Sequence, residues 1–194
     1  MVLRLSDVEQ NIKEMDTSYD ANFGEWIRNE ENARIVGYHL HKYIDFYSTS
    51  EIIIVTKWIV KDWTLRSIIL LIKKMLIDEL ILNSFNMDFK YEKMKEKDYH
   101  MKFLRAINIV QGVIYTWNPL FMAEFLVSIS KSFILSDKEK FLIKIFEGLE
   151  SNKSKEIITY LDEKIEKEIL EKLKKIKHKP LKSKKLLNAF NSSK

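Results

Sequence analysis

Between Ala106 and Ala123 the chain carries no charged side chain, although 31% of its residues are charged. Phe103, Ile107, Val110, Ile114 and Trp117 recur at three- and four-residue steps, which stacks them on one face of a helix. Phe121, Phe125 and Ile129 repeat the pattern, while Met122, Leu126 and Phe133 spread onto another face. A helix that is apolar on more than one side must be covered on more than one side. Between the two halves stands Trp117-Asn118-Pro119. Asn118 is a good N-cap, and Pro119 at a first helical position loses no hydrogen bond and has its φ preset. Met101–Leu135 therefore predicts two consecutive buried helices at the centre of the fold. The run is near the lower length limit for a membrane span, and it contains Asn108, Gln111, Asn118 and Pro119. A buried hairpin is expected instead, with no membrane contact.

Four Gly and two Pro in 194 residues leave little material for tight β-turns, which favours long helices and short links. The length suits one domain with a real core. The expected fold is all-α, a single-domain bundle of about seven or eight helices around the central hairpin. It spans residues 1–177, with a lysine-rich C-terminal arm over 178–194. The absence of cysteine excludes disulfides, cysteine-based zinc sites, iron–sulfur clusters and thiol nucleophiles. With no signal peptide read at Met1–Leu5, a cytoplasmic location is expected.

Ser6-Asp7-Val8-Glu9 has the form of a capping box and predicts a short helix to about Met15. A second helix is expected from Gly24 or Glu25 to Tyr47. Glu51–Trp63 is ambiguous: Ile52-Ile53-Ile54-Val55 is β-branched and suits a strand, but Trp58, Ile59 and Trp63 continue at helical spacing and favour a helix. Thr64 restarts a helix expected to reach Phe85, and Asn86–Asp98 reads as a charged connector. Gly148 marks the end of a further helix. Lys153–Lys177 reads as one surface helix, its inner face formed by Ile158, Leu161, Ile165, Ile169, Leu173 and Ile176. Glu163–Lys167, Glu168–Lys172 and Glu171–Lys175 are pairs in the favourable order, each worth ~0.3 kcal/mol.

The net charge of +5 is unevenly placed. Residues 1–50 hold 5 Lys/Arg against 9 Asp/Glu, whereas residues 151–194 hold 13 against 6. From Lys172 onward there are nine lysines and no acid. Lys172, Lys174, Lys175, Lys177, Lys179, Lys182, Lys184 and Lys185 are the candidate contacts to phosphates or to an acidic protein. Lysine is a point charge rather than a fork, so such a surface follows a backbone without reading bases. A solvated helix end, favoured by the macrodipole, accounts equally well for these lysines.

Arg34-Ile35-Val36-Gly37-Tyr38-His39 has an R-x4-H spacing, and Arg34 to His41 an R-x6-H spacing. The spacing is similar to the motif of HEPN-type ribonucleases, a family of small all-helical domains. The resemblance covers six to eight residues. It implies metal-independent RNA cleavage at a dimer interface, with His39 assisting 2′-OH attack and Arg34 stabilising the phosphate. The same residues fit a plain helix with Arg34 and His41 exposed and His39 at its edge, and this reading is placed first. His39 and His41 diverge on a helix, so no metal site is expected, and no cofactor is. Leu187-Asn188-Ala189-Phe190 loosely resembles part of a sliding-clamp-binding peptide, with folding back onto the domain as its preferred role.

These observations place first a non-enzymatic helical adaptor or accessory protein whose basic arm contacts nucleic acid or an acidic protein partner. A ribonuclease using Arg34 and His39 comes second, and a purely protein–protein regulatory module third. Homo-oligomerisation through amphipathic helices is compatible with each.

Overall fold

Asn118 does what its position predicts. Its side chain accepts the Phe121 N–H at 2.9 Å, and Pro119 occupies the first turn of the helix it opens. The computed structural model describes residues 6, 9–10, 23–77, 92–133, 135–179 and 188. Nine α-helices and no strand are found among them. They are α1 (Phe23–Arg28), α2 (Ala33–Tyr43), α3 (Thr49–Ile59), α4 (Leu65–Ile72), α5 (Glu92–Ile114), α6 (Pro119–Ser130), α7 (Leu135–Glu147), α8 (Ser151–Leu161) and α9 (Lys167–Lys174). The expected helix at Ser6–Met15, the extension toward Phe85 and Leu187–Phe190 fall largely or wholly outside the described residues.

The predicted hairpin is α5 and α6. Ile107, Val110, Ile114, Met122, Phe125, Leu126 and Ile129 are all buried in one apolar core. Trp117 at the corner is half-buried and stands edge-on to Phe121 at 4.9 Å and Phe125 at 5.4 Å. Helix α5 packs on α3 and α7, and α6 packs on α4 and α8. Helix α5 also runs through Glu92–Asp98, where a connector was expected. Glu, Lys and Met are good helix formers, and no Gly or Pro interrupts them there.

The ambiguous segment is helical. Ser48 accepts the Glu51 N–H, and the Glu51 carboxylate accepts the Ser48 N–H at 2.8 Å, closing a capping box at the start of α3. Thr64 restarts the chain as α4, which passes into a π-helical turn over Lys73–Ile77. Helix α2 crosses α4 so closely that a Cβ on Gly37 would lie 2.6 Å from the Leu71 carbonyl oxygen.

Two expected helices are each split. The first breaks at Asn29, whose side chain accepts the Glu31 N–H at 3.0 Å, while the Asn32 amide donates to the Trp26 carbonyl at 2.9 Å. Side chains that satisfy the backbone locally compete with the helix ladder, and a short 3₁₀ turn, Glu30–Asn32, results. The second breaks at Glu163, whose φ of 65° is left-handed. The turn lets Ile169, Leu170 and Leu173 bury as α9 packs on α7 and α8. It leaves no continuous helix for the Glu163–Lys167 pair. Glu168–Lys172 forms at 3.2 Å, and Glu171 pairs with Lys174 at 2.7 Å rather than with Lys175.

Among the described residues, no helix is long and apolar enough to cross a membrane.

Candidate functional site

The lysine-rich end of the chain is built onto α7. Lys138 meets Glu166 at 2.6 Å and Lys172 meets Glu139 at 2.9 Å, so ion pairs line the α7–α9 contact. Beyond α9 the chain turns back over the end of α7. The His178 Nδ1 bonds the Phe146 carbonyl at 3.1 Å, and the Lys179 N–H donates to the Glu147 carbonyl at 2.8 Å. Gln111 of α5 donates to the carbonyls of Lys144 and Ile145 at 2.9 and 3.0 Å. The last four carbonyls of a helix have no partner within it. Here all four, from Lys144 to Glu147, are satisfied from outside α7.

The electrostatics follow the geometry. Burial pushes the Glu147 carboxyl up, but hydrogen bonds and charge from Lys144 and Lys179 outweigh it and hold the group below its ordinary value. The hydrogen bond from Lys138 holds Glu166 low. Lys172 is raised by its bonds to Glu139 and Glu168, and Lys174 by its bond to Glu171.

The eight candidate lysines therefore divide. Lys172, Lys174 and Lys179 are engaged by carboxylates of the body. Lys175 and Lys177 are exposed and form no ion pair among the described residues. Lys182, Lys184 and Lys185 lie outside the described residues. The residues that the sequence reading missed are the anchors: Glu139, Glu147, Gln111 and His178. A lone His two residues before Pro180 was the one local hint, because a basic side chain suits a helix C-terminus.

On α2 the structure places the two candidate catalytic residues apart. Arg34 is exposed, whereas His39 is 5% exposed and buried rather than at the helix edge. Five residues on an α-helix turn the side chain by about 140°, so the two leave on different faces. Arg34 and His41 share a side two turns apart. His41 is half-buried, not fully exposed, and its Nδ1 lies 2.9 Å from the Met75 carbonyl of the π turn. A carbonyl only accepts, so Nδ1 carries the proton.

Beside His41 is a cleft of about 30 Å³, lined by Ile44, Asp45, Met75, Leu76, Lys102, Arg105 and Ala106. Ligand pockets are on the order of ten times larger. The Arg105 guanidinium donates to the Tyr47 carbonyl and lies 3.9 Å from Asp45, while its Nε is buried without a partner. Burial lowers the Arg105 pKa, and Asp45 partly offsets this. Arg105 thus ties the end of α2 to α5, and the cleft is a packing seam. No group of three or more metal-ligating side chains occurs among the described residues.

No protein-family model, curated protein or solved structure matches the chain.

Proposed function

We propose that the chain is a non-enzymatic helical adaptor whose C-terminal lysines contact a polyanion, with nucleic acid as the first candidate. The observation that carries this reading is the division of the lysines. Lys172 and Lys179 are held by Glu139 and Glu147, which fixes the root of the arm on α7, and Lys174 is held by Glu171 within α9. Lys175 and Lys177 remain exposed beside that root, and Lys182, Lys184 and Lys185 follow with no acid among them. A lysine-dense segment on a fixed root presents charge to a phosphate backbone without sequence discrimination. An acidic protein surface uses the same chemistry. Titration of full-length protein, and of protein ending after Lys179, with labelled duplex, single strands and an acidic peptide tests the reading. Equal binding by both lengths rejects the arm as the contact.

A second reading, a metal-independent ribonuclease, is supported by the fixed tautomer of His41. With Nδ1 protonated against Met75, Nε2 carries the lone pair that a general base needs. Arg34 on the same side supplies a cation for phosphate. In this reading His41 takes the place given to His39 by the sequence, since His39 is buried. Chelator-resistant RNA cleavage lost in His41→Ala would promote it over the adaptor.

A further inference from the structure

Glu147, at the end of α7, divides its carboxylate between two lysines from different parts of the chain. Its Oε2 accepts from the Lys144 Nζ at 2.9 Å, and its Oε1 from the Lys179 Nζ at 3.2 Å. The two ammonium groups therefore converge on one pair of oxygens. Lys144 belongs to α7 and stands outside the eight candidate lysines at the chain's end. The Glu147 side chain is 22% exposed, whereas Lys144 is 40% and Lys179 69% exposed. Water thus reaches the cations more freely than the acid between them. A phosphate presents pairs of charged oxygens as a carboxylate does, and it accepts the same charge-assisted bonds.

The backbone keeps the two lysines together without the carboxylate. The Lys179 N–H is bonded to the Glu147 carbonyl at 2.8 Å, and His178 to the Phe146 carbonyl at 3.1 Å. Lys144 is fixed by α7 itself, about one turn from Glu147. The negative end of a helix normally disfavours an anion. Here that end is covered, because Gln111 takes the Lys144 and Ile145 carbonyls while His178 and Lys179 take the next two. We infer that Lys144 and Lys179 form a two-ammonium phosphate seat on the body of the protein, and that Glu147 occupies it as an internal competitor. This inference rests on the polyanion reading; it adds Lys144 to the contact surface and a control over its use. At neutral pH the competitor is charged, because the two lysines outweigh burial and hold the Glu147 carboxyl below its ordinary value. A polyanion must displace it to use the seat, so wild-type binding runs mainly through lysines outside it.

Salt-dependent binding of labelled duplex DNA to the full-length protein tests the seat. Glu147→Gln opens it and should steepen the slope of log affinity against log salt by up to ~1.8, the contribution of two lysines. Glu124→Gln removes the same charge from an exposed position on α6 that forms no ion pair among the described residues, and it should leave the slope as it is. Lys144→Gln should take ~0.9 off the slope in the Glu147→Gln background and nothing in the wild type. Circular dichroism checks that each variant is folded. Should Glu147→Gln unfold, acetylation of the wild type with an N-hydroxysuccinimide ester reads the same seat. Saturating duplex at low ionic strength, where phosphates compete best, slows modification of Lys144. A slope in Glu147→Gln equal to that in Glu124→Gln overturns the inference and leaves the polyanion reading standing. So does a Lys144 that is acetylated at one rate with and without duplex. Salt-dependent binding missing from wild type and Glu147→Gln alike sinks both.

Discussion

Lys179 holds Glu147 twice. Its backbone N–H donates to the Glu147 carbonyl at 2.8 Å, and its ammonium reaches the carboxylate at 3.2 Å. With His178 on the Phe146 carbonyl, this contact turns the beginning of the lysine-rich segment into the C-terminal cap of α7. Ending the chain after Lys172 removes Leu173, which is 2% exposed, together with Ile176, His178 and Lys179. A loss of at least ~3 kcal/mol is expected in denaturant unfolding. Ending it after Lys179 keeps the cap and should cost less than ending it after Lys172.

Gln111 and Gly148 make a second testable pair. A Cβ on Gly148 would collide with the carboxamide of Gln111, which is 5% exposed and donates to the Lys144 and Ile145 carbonyls. Gly148→Ala should displace that amide and cost ~2 kcal/mol, the scale of leaving buried polar groups unpaired. In a Gln111→Ala background the same substitution should cost far less, because its obstacle is gone. A double-mutant cycle by chemical denaturation checks the coupling, and additive effects would refute the contact.

These elements mark the limit of what the sequence reveals. The α5–α6 hairpin was legible because periodic apolar spacing and Asn118-Pro119 are local signals. Gly148 was legible as a helix end, but its reason, Gln111 pressed against it, lies 37 residues away. The break at Glu163 was hidden because the periodicity of Ile158, Leu161, Ile165 and Ile169 runs through it. The cause of the break is tertiary: α9 buries Leu170 on its neighbours. The break at Asn29 rests on two asparagine side chains bonding nearby backbone. His39 is buried where an edge position was expected because the packed face of α2 is wide and takes in Gly37 and His39 beside Ala33, Val36, Leu40 and Tyr43. The candidate lysines were legible as a group and the Glu168–Lys172 pair was legible within its helix, but the anchoring of Lys172 and Lys179 was not, since Glu139 and Glu147 reach them from another helix.

Glu147 predicts the acid behaviour. Its folded pKa lies below the ordinary 4.5, because bonds and charge from Lys144 and Lys179 outweigh burial. A lowered carboxylate contributes stability that is fully present above the unfolded value and is lost as pH falls through the folded one. Stability should therefore decline from about pH 5 downward, and Glu147→Gln should flatten that decline while lowering stability at neutral pH. Unfolding free energy measured across pH 2–7 for both proteins tests this, and an unchanged slope would exclude Glu147 as a contributor.

The lysine division sets the salt dependence of polyanion binding. Lys172, Lys174 and Lys179 are engaged by carboxylates, which leaves Lys175, Lys177, Lys182, Lys184 and Lys185 of the eight candidates. If these five neutralise phosphates together, log affinity for duplex DNA should fall against log salt with a slope of ~−4.5. Lys175→Gln with Lys177→Gln should reduce the slope by ~1.8, uniformly across sequences. Glu171→Gln should work the other way: it frees Lys174 and steepens the slope by up to ~0.9. An adaptor that used the whole lysine run indiscriminately would show a slope nearer ~−7 and no response to Glu171→Gln. No salt-dependent binding to any polyanion would leave Lys175 and Lys177 as ordinary solvated charges and would sink the proposed function.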